Sequence, residues 1–99
     1  MTTPVVAIVT AKPGLEQQLE ERFRGVIAAT HAEDGCNVYQ LNRDTANPRR
    51  FVWIEDWESQ EHLDRHLATA HIKALFSSFA DLVESSEVIV LEHLAGGPA

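Results

Sequence analysis

One junction constrains this chain more than any other feature: the run Phe51–Trp57, FVWIEDW, passes almost directly into a helix start at Ser59. Aromatic and β-branched residues dominate the run, so it reads as a strand. Phe51, Trp53, Glu55 and Trp57 fall on one face, and Val52, Ile54 and Asp56 on the other. A carboxylate therefore lies between two indoles. It needs a partner, such as a backbone amide, Tyr39 or an arginine across an interface, or else its pKa must rise. Ser59 is the N-cap candidate, and Gln60 and Glu61 suit the first turn. Leu63, His66, Leu67 and Ala70 form the inward stripe, which brings a histidine to the core side.

The remaining elements follow from periodicity and turn chemistry. Pro4–Ala11 is a short valine- and isoleucine-rich run ended by Lys12-Pro13-Gly14, hence a first strand. Leu15, Leu19, Phe23, Val26, Ile27 and Thr30 recur at helical spacing, with Glu16, Glu20, Glu21 and Arg24 opposite. After the Asp34-Gly35 turn signal, Cys36–Leu41 resumes extended character. Asn42–Arg50 reads as a hairpin loop longer than the tight two-residue type. The helical stripe changes phase around Thr69–His71 and continues through Ile72, Leu75, Phe76, Phe79 and Val83. This predicts two helical pieces with a bend, followed by a last strand at Val88–Glu92. Residues 1–95 are expected to form a single domain, and residues 96–99 a flexible tail.

Strand, helix, strand, strand, helix, strand is the order of the ferredoxin-like α+β fold. Its four-stranded antiparallel sheet carries both helices on one face. PVVAIV, FVWI and VIVL are apolar at consecutive positions, so the other sheet face is apolar too. A homodimer packed sheet against sheet, a dimeric α+β barrel, would cover it.

A formal net charge of -7, with Arg49 and Arg50 the only adjacent basic pair, argues against nucleic acid and anionic membranes as partners. No apolar run approaches the roughly 20 residues of a membrane span, and Met1–Val9 lacks the pattern of a secretory signal. A cytoplasmic protein is expected. Cys36 is the only cysteine, which excludes an internal disulfide or a Cys-based metal cluster, and it reads as a small buried apolar residue. No glycine-rich phosphate loop, serine-centred elbow or haem-attachment motif occurs, so no cofactor is expected. His62 and His66 have a spacing that can place two imidazoles on one metal, but the metalloprotease pattern is missing and no metal is expected. His66 is a candidate general base or, alternatively, a satisfied core histidine. Trp53 and Trp57 either wall a flat aromatic ligand or simply pack, and Tyr39 either orients a ligand or packs.

Taken together, Ala11-Lys12-Pro13-Gly14, Asp34-Gly35-Cys36 with Tyr39, Phe51-Val52 with Glu55-Asp56-Trp57-Glu58, and His66-Leu67-Ala68-Thr69-Ala70-His71 resemble the antibiotic biosynthesis monooxygenase family. The likeness is greatest to its small quinol monooxygenase branch. It implies a dimer of ferredoxin-like chains with a pocket between sheet and helices. It also implies oxygenation of a hydroquinone or polyphenol by O2 without flavin, haem or metal. Carried over, Trp57 would line the pocket and His66 would meet the substrate hydroxyl; His66 and Glu55, which would fix the pocket's polar geometry, are the expected catalytic residues. Trp57, Trp53, Tyr39, His71 and Phe76 would hold the ring. Position 70 is alanine where many relatives have proline, and the asparagine, tryptophan and histidine set of the haem-degrading branch is not recognisable. The resemblance also leaves two alternatives: a non-oxidative isomerase or lyase on the same histidine, since the family includes an isomerase of a phosphorylated sugar-like signal molecule, and a non-catalytic ligand-binding dimer.

Overall fold

Alternation along two central strands builds the frame. In a computed structural model, which describes residues 1–98, Val5, Ala7, Val9 and Ala11 of β1 (Thr3–Ala11) are buried on one sheet face. Phe51, Trp53, Glu55 and Trp57 of β3 (Asn47–Trp57) are buried beside them. These strands pair antiparallel with Ala7 opposite Trp53, and the sheet order is β2-β3-β1-β4, with β2 at Cys36–Asp44 and β4 at Val83–Val90. Every pairing is antiparallel, which gives the ferredoxin-like α+β fold. Helices α1 (Glu16–Arg24), α2 (Ile27–His31), α3 (Gln60–Leu67), α4 (Ala70–Ser77) and α5 (Phe79–Leu82) complete it. Phe23 of α1 meets Phe51 and Trp53 edge-on, with ring centroids 5.5 and 5.3 Å away, the geometry that aromatic quadrupoles favour.

Three boundaries differ from expectation, each for a local reason. The single helix expected over Leu15–Thr30 is broken at Gly25, the residue type least suited to a helix interior except proline, and Val26 N–H donates instead to Phe23 O at 3.3 Å. The long loop expected at Asn42–Arg50 is a tight hairpin in which Asp44 pairs with Asn47. Its polar residues close the turn rather than end the strands: Asp44 Oδ1 accepts from Ala46 N–H at 2.8 Å, and Asn47 Oδ1 from Arg49 N–H at 3.1 Å. The last strand spans Val83–Val90 instead of Val88–Glu92, and its early start arises because Ser85 and Ser86 pair with Thr10 and Val9. Backbone pairing at a sheet edge needs no apolar side chain, so hydropathy gave no sign of it.

The helices do not cover β4. Val88 stands opposite Ala7 on the helix side yet is 59% exposed. On the opposite sheet face Val6 and Ile8 are half-buried, and Val38, Ile54 and Ile89 are exposed. Among the described residues no helix is long and apolar enough to cross a membrane. Of the expected tail, Ala99 lies outside the described residues.

Gly35 closes the turn between α2 and β2 with φ of +79°, and its carbonyl accepts from Glu58 N–H at 2.8 Å. A Cβ there would lie 2.3 Å from Cδ2 of His62. Gly35→Ala is therefore expected to lower unfolding free energy by about 2 kcal/mol or more in urea titrations, from strain and clash together.

Candidate active site

Between the sheet and helices α3 to α5 lies a cavity of about 280 Å³. Ala7, Trp53 and Val88 form part of its sheet side, and Leu63, Leu75 and Phe76 part of its helix side. Among the described residues its hydrogen-bonding side chains are Tyr39, Trp53, Glu55, His66 and Ser86, and no lysine or arginine lines it. Tyr39 stacks on Trp53 with centroids 4.3 Å apart, so neighbouring strands present a flat aromatic wall. Burial raises the Tyr39 pKa, and Glu55 adds to the effect, so its phenol stays protonated near neutral pH.

Helix α3 delivers His66 because Ser59 caps it and its Oγ accepts from His62 N–H at 3.3 Å. The imidazole is 3% exposed and lies against Trp57, with ring centroids 4.5 Å apart. Its Nδ1 stands 2.9 Å from Glu33 Oε2 and 3.2 Å from Glu33 Oε1. Nε2 has no hydrogen-bond partner among the described residues, and the ring borders the cavity. Burial pushes the His66 pKa down while the Glu33 hydrogen bond and charge push it up; burial wins, which keeps His66 mainly neutral near pH 7. A neutral imidazole with one free nitrogen beside an apolar cavity is a competent general base.

Glu55 is 8% exposed, and the partner it required is the indole of Trp57, whose Nε1–H donates to Oε1 at 3.0 Å. Burial raises its pKa; the indole bond lowers it, and repulsion from Glu33 adds to the rise. The site thus contains a carboxyl group inclined to hold its proton.

Of the residues expected to bind a ring, Tyr39 and Trp53 line the cavity, and Phe76 lies on its wall with 45% of its surface exposed. Trp57 and His71 differ from expectation. Trp57 is fully buried behind His66 and Glu55, off the cavity surface, because the final inward position of β3 lies under α3. His71, at the start of α4, also lies off the lining and reaches Glu33 Oε2 through Nε2 at 2.8 Å. Glu33 is the residue that sequence reasoning missed. It sits in a turn, 33 and 38 positions from its histidine partners, where spacing carries no signal.

His62 does not converge with His66: its Nδ1 is 2.7 Å from Ser59 Oγ, and its Nε2 is 3.5 Å from Asp34. The cluster with metal-ligating chemistry is instead Glu33, His66 and His71, whose donor atoms lie within 4.8 Å of one another. Oε2 stands 2.9 and 2.8 Å from the two nitrogens, the spacing of N–H···O bonds, whereas donors around a tetrahedral zinc lie about 3.3 Å apart. Protons fit these positions better than a metal. Burial pushes the half-buried Cys36 thiol up to about 11, consistent with an inert side chain.

The sequence pattern of the family described as "Antibiotic biosynthesis monooxygenase" matches residues 4–77, which includes β1 to α4. "Probable quinol monooxygenase YgiN" of Escherichia coli is 34% identical over 80 residues, covering 71% of this chain and 77% of that protein. Among solved structures, PA3566 from Pseudomonas aeruginosa superposes with a TM-score of 0.90 at 31% identity, covering 95% of each chain. Rv0793 from Mycobacterium tuberculosis superposes with a TM-score of 0.91 at 25% identity, covering 99% of this chain and 100% of that one.

The buried carboxyl generates a stability prediction. A folded-state pKa raised above 4.5 means that Glu55 favours the folded state below its unfolded pKa, and that this contribution is lost as pH rises through the folded value. Glu55→Gln keeps an acceptor for Trp57 Nε1 and removes the charge. It is expected to stabilise the protein by about 1 kcal/mol at pH 8 and by less at pH 4.5, as read from thermal melts at both pH values.

Proposed function

The chain belongs to the antibiotic biosynthesis monooxygenase family, and from that premise we propose that it is a cofactor-independent monooxygenase oxidising an uncharged hydroquinone or polyphenol with O2. The observation that carries this reading is a neutral, buried imidazole with a free nitrogen at an apolar, aromatic-walled cavity. The name of the Escherichia coli relative supports a quinol as substrate.

His66 Nε2 takes the phenolic proton, and the anion that remains is electron-rich enough to give one electron to O2 directly. Recombination of the two radicals forms a ring peroxide, which breaks at the O–O bond. One oxygen atom stays on the ring as a hydroxyquinone and the other leaves as water, so hydroquinone plus O2 balances hydroxyquinone plus H2O. The apolar lining excludes water from these intermediates. Glu55 holds the polar geometry at the end of the cavity nearest Trp57.

Size and charge narrow the substrate. A volume of about 280 Å³ lies below the roughly 300–1,000 Å³ of drug-sized ligand sites, which suits a small ring system. No cation lines the cavity and a carboxyl group does, so a phosphorylated or carboxylated substrate would enter unpaired. This counts against the isomerase alternative in its phosphorylated form. We also propose a homodimer, since Val38, Ile54 and Ile89 leave an apolar sheet face open. The protein should sediment at twice its 11.0 kDa chain mass at micromolar concentration, and a stable monomer would refute the dimer.

Oxygen uptake on addition of a neutral hydroquinone separates this function from an isomerase or a binding protein. His66→Ala is expected to keep the fold and to lose roughly 10^2-fold or more in kcat, partly recovered at high pH where the phenol ionises unaided. The wild-type rate should fall as pH drops through the folded pKa of His66, below the ordinary 6.5. His62→Ala, away from the cavity, should leave kcat nearly unchanged. Equal, small effects of the two substitutions on kcat would show His66 to be a packing residue.

A further inference from the structure

Glu33 joins the site to the surface in a way that the proposed base chemistry does not by itself require. Its carboxylate receives two imidazole nitrogens at one oxygen, His66 Nδ1 at 2.9 Å and His71 Nε2 at 2.8 Å. The three residues come from the turn after α2, from α3 and from α4, so the contact ties three elements together. The Glu33 side chain is 14% exposed and that of His66 4%, so water competes little for these bonds. A carboxylate accepts hydrogen bonds and cannot donate them, so each nitrogen facing it must carry a proton. In neutral His66 the proton is then on Nδ1 and the lone pair on Nε2, the nitrogen without a partner among the described residues. In neutral His71 the proton is on Nε2, and Thr30 Oγ1, 3.2 Å away, is free to accept a share of it.

We propose that Glu33 is the positioning residue of this site: it fixes His66 in the Nδ1–H tautomer with the Nε2 lone pair toward the cavity, and His71 holds the carboxylate in place. This rests on His66 being the base. Without the carboxylate, neutral His66 is free to move its proton to Nε2, where it would present a donor to the substrate hydroxyl and could not take its proton. When Nε2 does take that proton, the imidazolium keeps its Nδ1–H on Glu33, which balances the new charge where desolvation would otherwise penalise it. The groups that face His66 are Glu33 from the turn, His71 on α4, Tyr39 on β2 and Glu55 on β3, next to Trp57. Glu33 alone among them is placed to draw the ring toward its charged form by a direct hydrogen bond. His71 opposes it and takes up part of the same oxygen.

The test uses protein labelled with 15N-histidine, long-range 1H–15N correlation spectra assigned with single His→Gln variants, and pH–rate profiles of wild type and Glu33→Gln. In the wild type at pH 7.5, His66 is expected to show a protonated Nδ1 and a bare Nε2. In Glu33→Gln the single tautomer should be lost, because the amide accepts from one histidine and donates to the other. The acid limb of kcat should move to lower pH as the raising influence of the carboxylate disappears. The plateau should fall about 10^2-fold or more with little change in KM. A wild-type His66 with its proton on Nε2 would overturn the proposal even if the variant failed to fold. So would a Glu33→Gln enzyme whose acid limb stays in place, the behaviour of a merely structural side chain. Absence of quinol-dependent oxygen uptake would instead sink the monooxygenase reading, while the wild-type spectrum would still decide the tautomer.

Discussion

The indole of Trp57 is the contact on which the pocket depends. It is fully buried, lies against the His66 ring with centroids 4.5 Å apart, and donates a hydrogen bond to Glu55 at 3.0 Å. One rigid side chain thus contacts two of the titratable groups on the cavity wall, Glu55 and His66. The arrangement follows from β3 itself, since period-two alternation puts Glu55 and Trp57 on the same face as neighbours. It has an energetic cost. A carboxyl group and an imidazole kept from water are both pushed toward their neutral forms, in opposite pH directions, and the fold tolerates this because each retains a hydrogen-bond partner. Sites that carry chemistry commonly hold such groups.

Much of this was legible in the sequence, and what was not has a physical reason. The inward set of Phe51, Trp53, Glu55 and Trp57, the Ser59 cap and the buried place of His66 are consequences of local periodicity, which any backbone of the right type must honour. The element order fixed the topology through the handedness of its connections. Boundaries fared less well. Asp44 and Asn47 point to a loop because their residue types favour turns, yet they flank a turn only two residues wide and leave the strands intact. Ser85 and Ser86 were invisible as strand because an edge pairs through its backbone. Glu33 was hidden most completely. Its role depends on two histidines on other elements, and no periodic pattern in a single sequence relates residues that meet only after folding. The same limit explains His71: family likeness marks it as a ring-binding residue, whereas the fold places it off the cavity lining, against Glu33.

The fold also leaves part of the cavity lining exposed. Helices α3 to α5 cover β1 and β3 but leave Val88 of β4 open, and Phe76 lies half exposed on the helix side. The exposed lining residues are thus Ser86 and Val88 on β4 and Leu67 and Phe76 on the helices, whereas Glu55 and His66 are buried against Trp57. Under the proposed function, a flat, uncharged ring would lie along the Tyr39 and Trp53 wall beside the imidazole. Charge points the same way: among the described residues no lysine or arginine lines the cavity, so under the proposed function the negative charge created by proton removal would be balanced only by the His66 imidazolium.

The central claim is that His66 Nε2 meets a substrate hydroxyl, and the position of a bound hydroquinone tests it most directly. In a crystal structure of the protein soaked with a neutral hydroquinone under anaerobic conditions, one ring oxygen should lie about 2.6–3.2 Å from His66 Nε2 with the ring against Tyr39 and Trp53. A hydroquinone bound in the cavity with both oxygens beyond hydrogen-bond reach of that nitrogen, or bound outside the cavity, would contradict the account.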